Sequence, residues 1–362
     1  MDKILNYAIS ENASDIHVTQ DKPCWVRIKG SFLRYGGKIT IEDIDDFIEA
    51  VIPEAVEKYL RLRNRMGSAP VDGAFKYGGR RFRINIYLSQ SGVNMALRLL
   101  SDKILPIAKL SLPESVRLFT HAKEGMYLVV GTTGSGKSTT LASVIDEINR
   151  TRSENILTVE EPIEYVYCED KCRIEQIEVG KHIESFEKAT VAAMRQNPNI
   201  LLIGEMRDLE TIQNAITLAE TGHAVFGTLH AKSVTDTIDR IVDVFPPKQQ
   251  EQIRLQLSGV LKGVIHQTLA KSQTGGVVPV IEQLMVDDVV ASMICAKQKP
   301  NTIRDYMRGK SLLGNVHRAD NLYWHIQNGR MDIETAKRYL SPDEYAMLRA
   351  MCTPVKGGGF GG

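Results

Sequence analysis

Long hydrophobic runs are missing from this chain of 362 residues. The most apolar stretches, such as Ile200 to Ile203 and Val277 to Ile281, fall far short of the roughly 18 residues that a membrane span requires. The chain is therefore expected not to cross a bilayer. At the start, Met1-Asp2-Lys3-Ile4-Leu5 meets Asn6, Glu11 and Asp15 before any apolar block long enough for a signal peptide, so a cytosolic location is expected. Excess charge of either sign is also missing. Lys plus Arg number 45 against 44 Asp plus Glu, a formal charge of +1, which removes the global basic footprint of a nucleic-acid-binding protein. Cysteine is sparse: five residues, an odd number with no C-x-x-C, suggest neither a disulfide framework nor a zinc ribbon. Cys168 and Cys172 form a C-x3-C pair without a second pair to complete a metal site. No internal repeat is present. With 43% hydrophobic and 25% charged residues, the composition is that of an ordinary globular protein, long enough for two domains or three small ones.

Residues 1 to 100 read as a small α/β unit. It has a periodic helix at Lys3 to Ile9, strand candidates at Asp15 to Val18 and Trp25 to Leu33, a helix from Glu42 to Leu62, and strands at Arg81 to Ser89 and Val93 to Leu100. Residues 101 to 115 lose all periodicity around Pro106 and Pro113 and read as a linker. From 116 to 286, apolar runs at Met126 to Val130, Asn155 to Val159, Ile200 to Ile203 and Ala224 to Thr228 alternate with helical text. That alternation is the mark of a parallel sheet covered on both faces. Ile253, Leu257, Val260, Leu261, Val264, Ile265 and Leu269 predict one long amphipathic helix from Lys248 onward. Residues 287 to 352 read as helices, and 353 to 362 as a flexible glycine-rich tail.

Gly131-Thr132-Thr133-Gly134-Ser135-Gly136-Lys137-Ser138 matches G-x-x-x-x-G-K-[ST], placed after an apolar strand and before a helical pattern. Glycines let such a loop wrap so that backbone N–H groups point at phosphate oxygens, and the helix N-terminus adds partial positive charge. Lys137 would reach the β- and γ-phosphates, the Ser138 hydroxyl would ligate Mg²⁺, and Thr139 follows as a further nucleotide-site residue. A nucleoside triphosphate site also needs acids. Ile200 to Ile203 leads through Gly204 into Glu205, a carboxylate at the carboxyl edge of the sheet, which makes Glu205 the candidate to polarise water. Glu160, Glu161 and Glu164 follow another strand and form a second acidic candidate set. His223 opens the fourth run and His230 closes it, and a histidine there can hydrogen-bond a γ-phosphate.

These motifs, with Arg195-Gln196-Asn197-Pro198, Gly204-Glu205-Met206-Arg207-Asp208, Glu220-Thr221-Gly222-His223, Gly227-Thr228-Leu229-His230 and Phe245-Pro246-Pro247, resemble the PilT-type ATPases. Those are retraction motors of type IV pili within the wider secretion ATPase superfamily. The likeness extends to Ala13-Ser14-Asp15-Ile16-His17 and Arg81-Phe82-Arg83-Ile84-Asn85. It implies an α/β protein: a PAS-like N-terminal domain followed by a RecA-like P-loop core and a helical C-terminal region. It also implies a homo-hexameric ring, ATP with Mg²⁺, and work with an inner-membrane pilus platform protein and the pilus assembly machinery, at the cytoplasmic face of the membrane. By the same likeness Lys137 and Ser138 take the Walker A roles and Glu205 the Walker B role. Glu160, Glu161 and Glu164 fall in the Asp box, and His223 and His230 in the His box. Arg81, Arg83 and Arg98 are the candidates to close over the phosphates.

The sequence departs from the family pattern twice. The Asp box usually reads Glu-Asp-Pro and here is Glu160-Glu161-Pro162, which lengthens the acidic arm by one methylene. The C-terminal signature, usually close to AIRNLIREGK and linked to retraction, is shortened here to Thr302 through Lys310, keeping Ile303, Arg304, Gly309 and Lys310. Other readings of the same core are an extension or secretion motor, a nucleotide switch with little turnover, and a nucleic-acid motor. The first would be expected to carry an extra N-terminal domain and a four-cysteine module. The last would need a local patch from Arg61, Arg63, Arg65, Lys76, Arg80, Arg81 and Arg83.

Overall fold

The computed structural model describes residues 1–28, 30–67, 69–100 and 103–352. The expected tail, 353–362, lies outside them, as do positions 101 and 102 of the expected linker. The chain divides into two units, Met1–Lys103 with Glu164–Val166, and Ile104–Ile163 with Tyr167–Gly362. Most of the segment read as a linker therefore belongs to the second unit, where Ile107–Lys109 and Glu114–His121 form 3-10 turns.

In the first unit, α1 (Asp2–Ser10) precedes β1 (Asp15–Thr19), β2 (Cys24–Ile28) and β3 (Ser31–Tyr35); α2 (Ile41–Val51) and α3 (Val56–Arg63) precede β4 (Val71–Tyr77), β5 (Arg80–Ser89) and β6 (Gly92–Leu99). The six strands pair antiparallel in the order β3-β2-β1-β6-β5-β4. Alternation along β5 buries Phe82, Ile84 and Ile86 and leaves Arg81 and Arg83 on the opposite face. The buried set forms one core with Leu5, Ile44, Ile48 and Tyr59 of the helices. The run read as a single strand from Trp25 to Leu33 is a hairpin, because Gly30 at φ +86° takes a left-handed turn conformation. The helix expected from Glu42 to Leu62 is broken at Pro53, which has no N–H to continue it and starts a 3-10 turn between α2 and α3. Thr40 and Asp43 close a capping box at the start of α2.

The second unit runs β7 (Gly125–Val130), α4 (Lys137–Thr151), β8 (Asn155–Glu160), β9 (Arg173–Glu178), α5 (Phe186–Ala193), β10 (Ile200–Ile203), α6 (Leu209–Glu220), β11 (Ala224–Leu229), α7 (Val234–Asp243) and α8 (Gln250–Val260). It continues with β12 (Leu261–Lys271), β13 (Val277–Met285), and helices α9 (Asp288–Cys295), α10 (Pro300–Arg308), α11 (Arg318–Gln327), α12 (Ile333–Lys337) and α13 (Pro342–Cys352). Its sheet has the order β13-β12-β7-β11-β10-β8-β9, parallel except for the β12–β13 pair. Every residue of β10 and β11 is buried, as expected of strands covered on both faces. Leu128, Val130, Leu201, Ile203 and Val225 share one core with Ile212, Ile216, Ile238, Ile241 and Leu257.

One expectation is overturned outright. The long helix read from Lys248 onward ends at Val260, and Leu261 to Lys271 is an interior strand between β7 and β13. A strand buried on both faces presents a near-continuous apolar run, which coincides with helical spacing over two turns. Gly263 belongs to the strand for a steric reason: a Cβ there would sit 2.6 Å from the Phe119 ring.

Candidate active site

The carboxyl ends of β7, β8, β10, β11 and β12 meet at one edge of the sheet, and most of the predicted site residues are there. Gly131 to Gly136 links β7 to α4, with Gly131, Gly134 and Gly136 at φ +148°, +75° and +87°. These values favour glycine, and at Gly131 space requires it too, since a Cβ would lie 2.2 Å from the Gln267 carbonyl oxygen. The first turn of α4 begins at Lys137, directly after the loop, so the loop leads into a helix N-terminus, the end that carries partial positive charge. The Lys137 ammonium donates to the carbonyls of Gly131 and Thr132, both at 3.0 Å. The Ser135 hydroxyl is buried without a hydrogen-bond partner, an orphaned polar atom inside an anion-shaped cradle. Both features fit a bound nucleotide phosphate chain.

Glu205 follows β10. Its Oε2 accepts from Arg207 at 2.5 Å, and its Oε1 lies 3.2 Å from His230 Nε2. Burial pushes the Glu205 carboxyl up, but the Arg207 hydrogen bond and the charges of Arg207, His230 and Lys137 outweigh it and hold the group below the usual range. Glu205 is thus an ionised carboxylate. The turn that carries it is fixed from the neighbouring strand: the Thr228 hydroxyl donates to the Gly204 carbonyl at 2.5 Å, and the Met206 N–H donates to the Thr228 carbonyl at 3.0 Å. Asp208 then caps α6, accepting from the Thr211 N–H at 2.7 Å.

The acidic candidates separate. Glu161 reaches the Glu205 cluster through Arg207, 3.9 Å away. Glu160 is buried and accepts from the Thr158 hydroxyl at 2.8 Å. Glu164 belongs to the first unit, whereas Glu160 and Glu161 belong to the second. The histidines separate as well. His230 joins Glu205, whereas His223 precedes β11 and sits at the amino edge, about 20 Å away by the rise of a six-residue strand. There His223 lines a cleft of about 600 Å³ with His121, Lys123, Arg152, Asn197 and Asn199, and its Nδ1 lies 3.0 Å from the Leu218 carbonyl. The geometry gives His223 no place in the Glu205 cluster. Arg81, Arg83 and Arg98 all lie in the first unit, where Arg98 bonds Asp15 at 2.9 Å and Arg83 lies 3.7 Å from Asp72.

Two residues of the site escaped the sequence reading. Arg207 stands in a quoted motif, two residues after Glu205, and that spacing was its signal. Gln267 lay inside the text read as helix, so nothing pointed to it.

A phosphate cradle at the carboxyl edge of a parallel sheet, with an ionised carboxylate beside it, defines a P-loop ATPase. The family described as type II/IV secretion system protein matches residues 1–338, and the chain belongs to it. It is 38% identical over 307 residues to the type IV pilus retraction ATPase PilT of Pseudomonas aeruginosa, covering 82% of this chain and 88% of that one. It is 33% identical over 294 residues to the uncharacterised protein YggR of Escherichia coli, covering 81% and 88%. Among solved structures, the pilus retraction motor PilT with bound ADP superposes with a TM-score of 0.83 at 40% identity, over 95% of this chain and 98% of that one.

Proposed function

We propose that this ATPase is a homo-hexameric motor that powers retraction of a type IV pilus. The observation that carries the reading is the similarity along nearly the whole chain, at 40% identity, to the structure of the pilus retraction motor PilT. In this reading Lys137 neutralises ground-state phosphate charge, and the loop N–H groups bind the phosphate oxygens. Ser138 would hold Mg²⁺, which supplies charge neutralisation on the phosphates when bound. Glu205 orients and polarises the attacking water. Its lowered pKa makes it a weak proton acceptor, and that suffices where catalysis is chiefly positioning and electrostatics. His230, 3.2 Å from Glu205, would sense a γ-phosphate, with Glu161 and Glu160 as further acids of the site. Arg81, Arg83 and Arg98 are proposed to close over the phosphates, and Glu164 to serve as a further acid of the Asp box.

The motor would act at the cytoplasmic face of the membrane through a platform protein. Among the described residues no helix is long and apolar enough to cross a membrane. A secretion motor is the second reading, favoured by the family's description and by the shortened signature, which lies on α10 with Ile303 and Met307 buried in the core. Deleting the gene separates the two. Retraction predicts more surface pili and no twitching motility, while unchanged pili with lost export of a secreted protein favours the second reading.

A further inference from the structure

We propose that Gln267 is a positioning residue for nucleotide binding, holding the P-loop from behind so that its N–H groups converge on the phosphates. Gln267 lies on β12, next to β7, and is 3% exposed. Its Nε2 donates to the Ser135 carbonyl at 2.8 Å, and its Oε1 accepts from the Thr140 hydroxyl at 2.8 Å. A carbonyl oxygen can only accept, so the Ser135 bond sets which end of the amide faces the loop, and the Thr140 bond then holds it there. The residue also touches both ends of the motif. Its main-chain oxygen fills the space a Cβ on Gly131 would take, and its Nε2 would lie 2.7 Å from a Cβ on Gly136.

The consequence follows from peptide geometry. In a trans peptide the C=O and the next N–H point in opposite directions. Drawing the Ser135 carbonyl back toward Gln267 therefore aims the Gly136 N–H forward, into the cradle. Without that tether the Ser135–Gly136 peptide can rotate, because Gly136 tolerates either sign of φ, and a rotated peptide presents a carbonyl oxygen to the phosphate. Gln267 acts through the loop and does not itself reach the phosphates.

The cradle binds ground state and transition state alike, so its loss should raise KM and leave kcat nearly unchanged. This rests on the P-loop binding ATP, and ADP binding by the wild-type chain tests that separately. Gln267→Leu is expected to weaken ADP binding and raise KM for ATP by roughly 5- to 30-fold, with kcat within about twofold, as for loss of one or two net hydrogen bonds. Gln267→Glu should do the same, since an ionised carboxylate cannot donate to the Ser135 carbonyl. Thr140→Val, which leaves the donor but frees the amide to turn, should raise KM by roughly 2- to 5-fold. The double variant Gln267→Leu with Thr140→Val should be no worse than Gln267→Leu alone. A purely structural role predicts lower thermal stability and lower kcat at unchanged KM, and that pattern would overturn the proposal. So would wild-type KM in Gln267→Leu or, if that variant does not fold, in Thr140→Val.

Discussion

His266 gives the protein a stability that should decay on mild acidification. The side chain is 4% exposed on β12, and its pKa is pushed down to about 3, first by burial and then by the charge of Arg318, whose guanidinium lies 3.4 Å from Nδ1. A guanidinium can only donate, so Nδ1 accepts and the ring is neutral. In the unfolded chain the same imidazole titrates near 6.5. Above that pH neither state binds the proton and His266 contributes no slope. Below it the unfolded state binds a proton that the folded state refuses, so stability falls as pH falls, until the folded pKa is reached. With these two values the linkage amounts to about 2 kcal/mol between pH 7 and pH 5. Buried His317 and His325, also lowered, add losses of the same sign. Carboxylates with lowered pKa, such as Glu205, Glu344 and Asp15, lose their contribution only below about pH 4.5, outside this window. Urea unfolding of the full chain at pH 7 and pH 5, at one protein concentration, reads the difference. Gln in place of His266 should flatten the pH dependence by about 2 kcal/mol whatever it does to stability at pH 7. Parallel slopes for wild type and His266→Gln would refute the reasoning.

Arg207→Ala removes the hydrogen bond that holds the Glu205 carboxyl down, so the acid limb of the kcat profile should move to higher pH; an unmoved limb would disconnect the pair. Glu282, 1% exposed on β13, lies 3.0 Å from Arg318 and 3.5 Å from Arg304 and accepts from the Val234 N–H. Glu282→Gln leaves both guanidinium groups without their counter-charge and should cost about 3 kcal/mol in urea unfolding. Light scattering at micromolar protein with nucleotide present should show a six-subunit ring, since symmetric closure limits the size, and a persistent monomer would count against it.

The site was legible where chemistry and backbone geometry constrain the same residues. Gly131, Gly134 and Gly136 adopt positive φ, and Lys137 must follow at a helix start, so the P-loop could be read from its letters. Glu205 was legible because a short, fully apolar strand ends beside it. His223 and His230 looked alike in sequence, yet they flank one strand, and the direction of β11 puts only His230 at the phosphate edge. Where burial erases alternation, the letters carry no period to tell strand from helix. The stretch from Val260 to Leu269 is such a case, and its helical spacing hid both Gln267 and the interior strand β12. The β2–β3 hairpin turned on a single glycine inside a run that reads as one strand.

The measurement closest to the central claim is ATP turnover by Glu205→Gln at saturating ATP, with Lys137→Ala as the reference for lost binding. Lys137 acts on ground-state charge and Glu205 on the water, so Glu205→Gln should bind nucleotide almost as the wild type does and lose turnover by about 100-fold or more. Lys137→Ala should fail at the binding step. Wild-type turnover in Glu205→Gln would contradict the account.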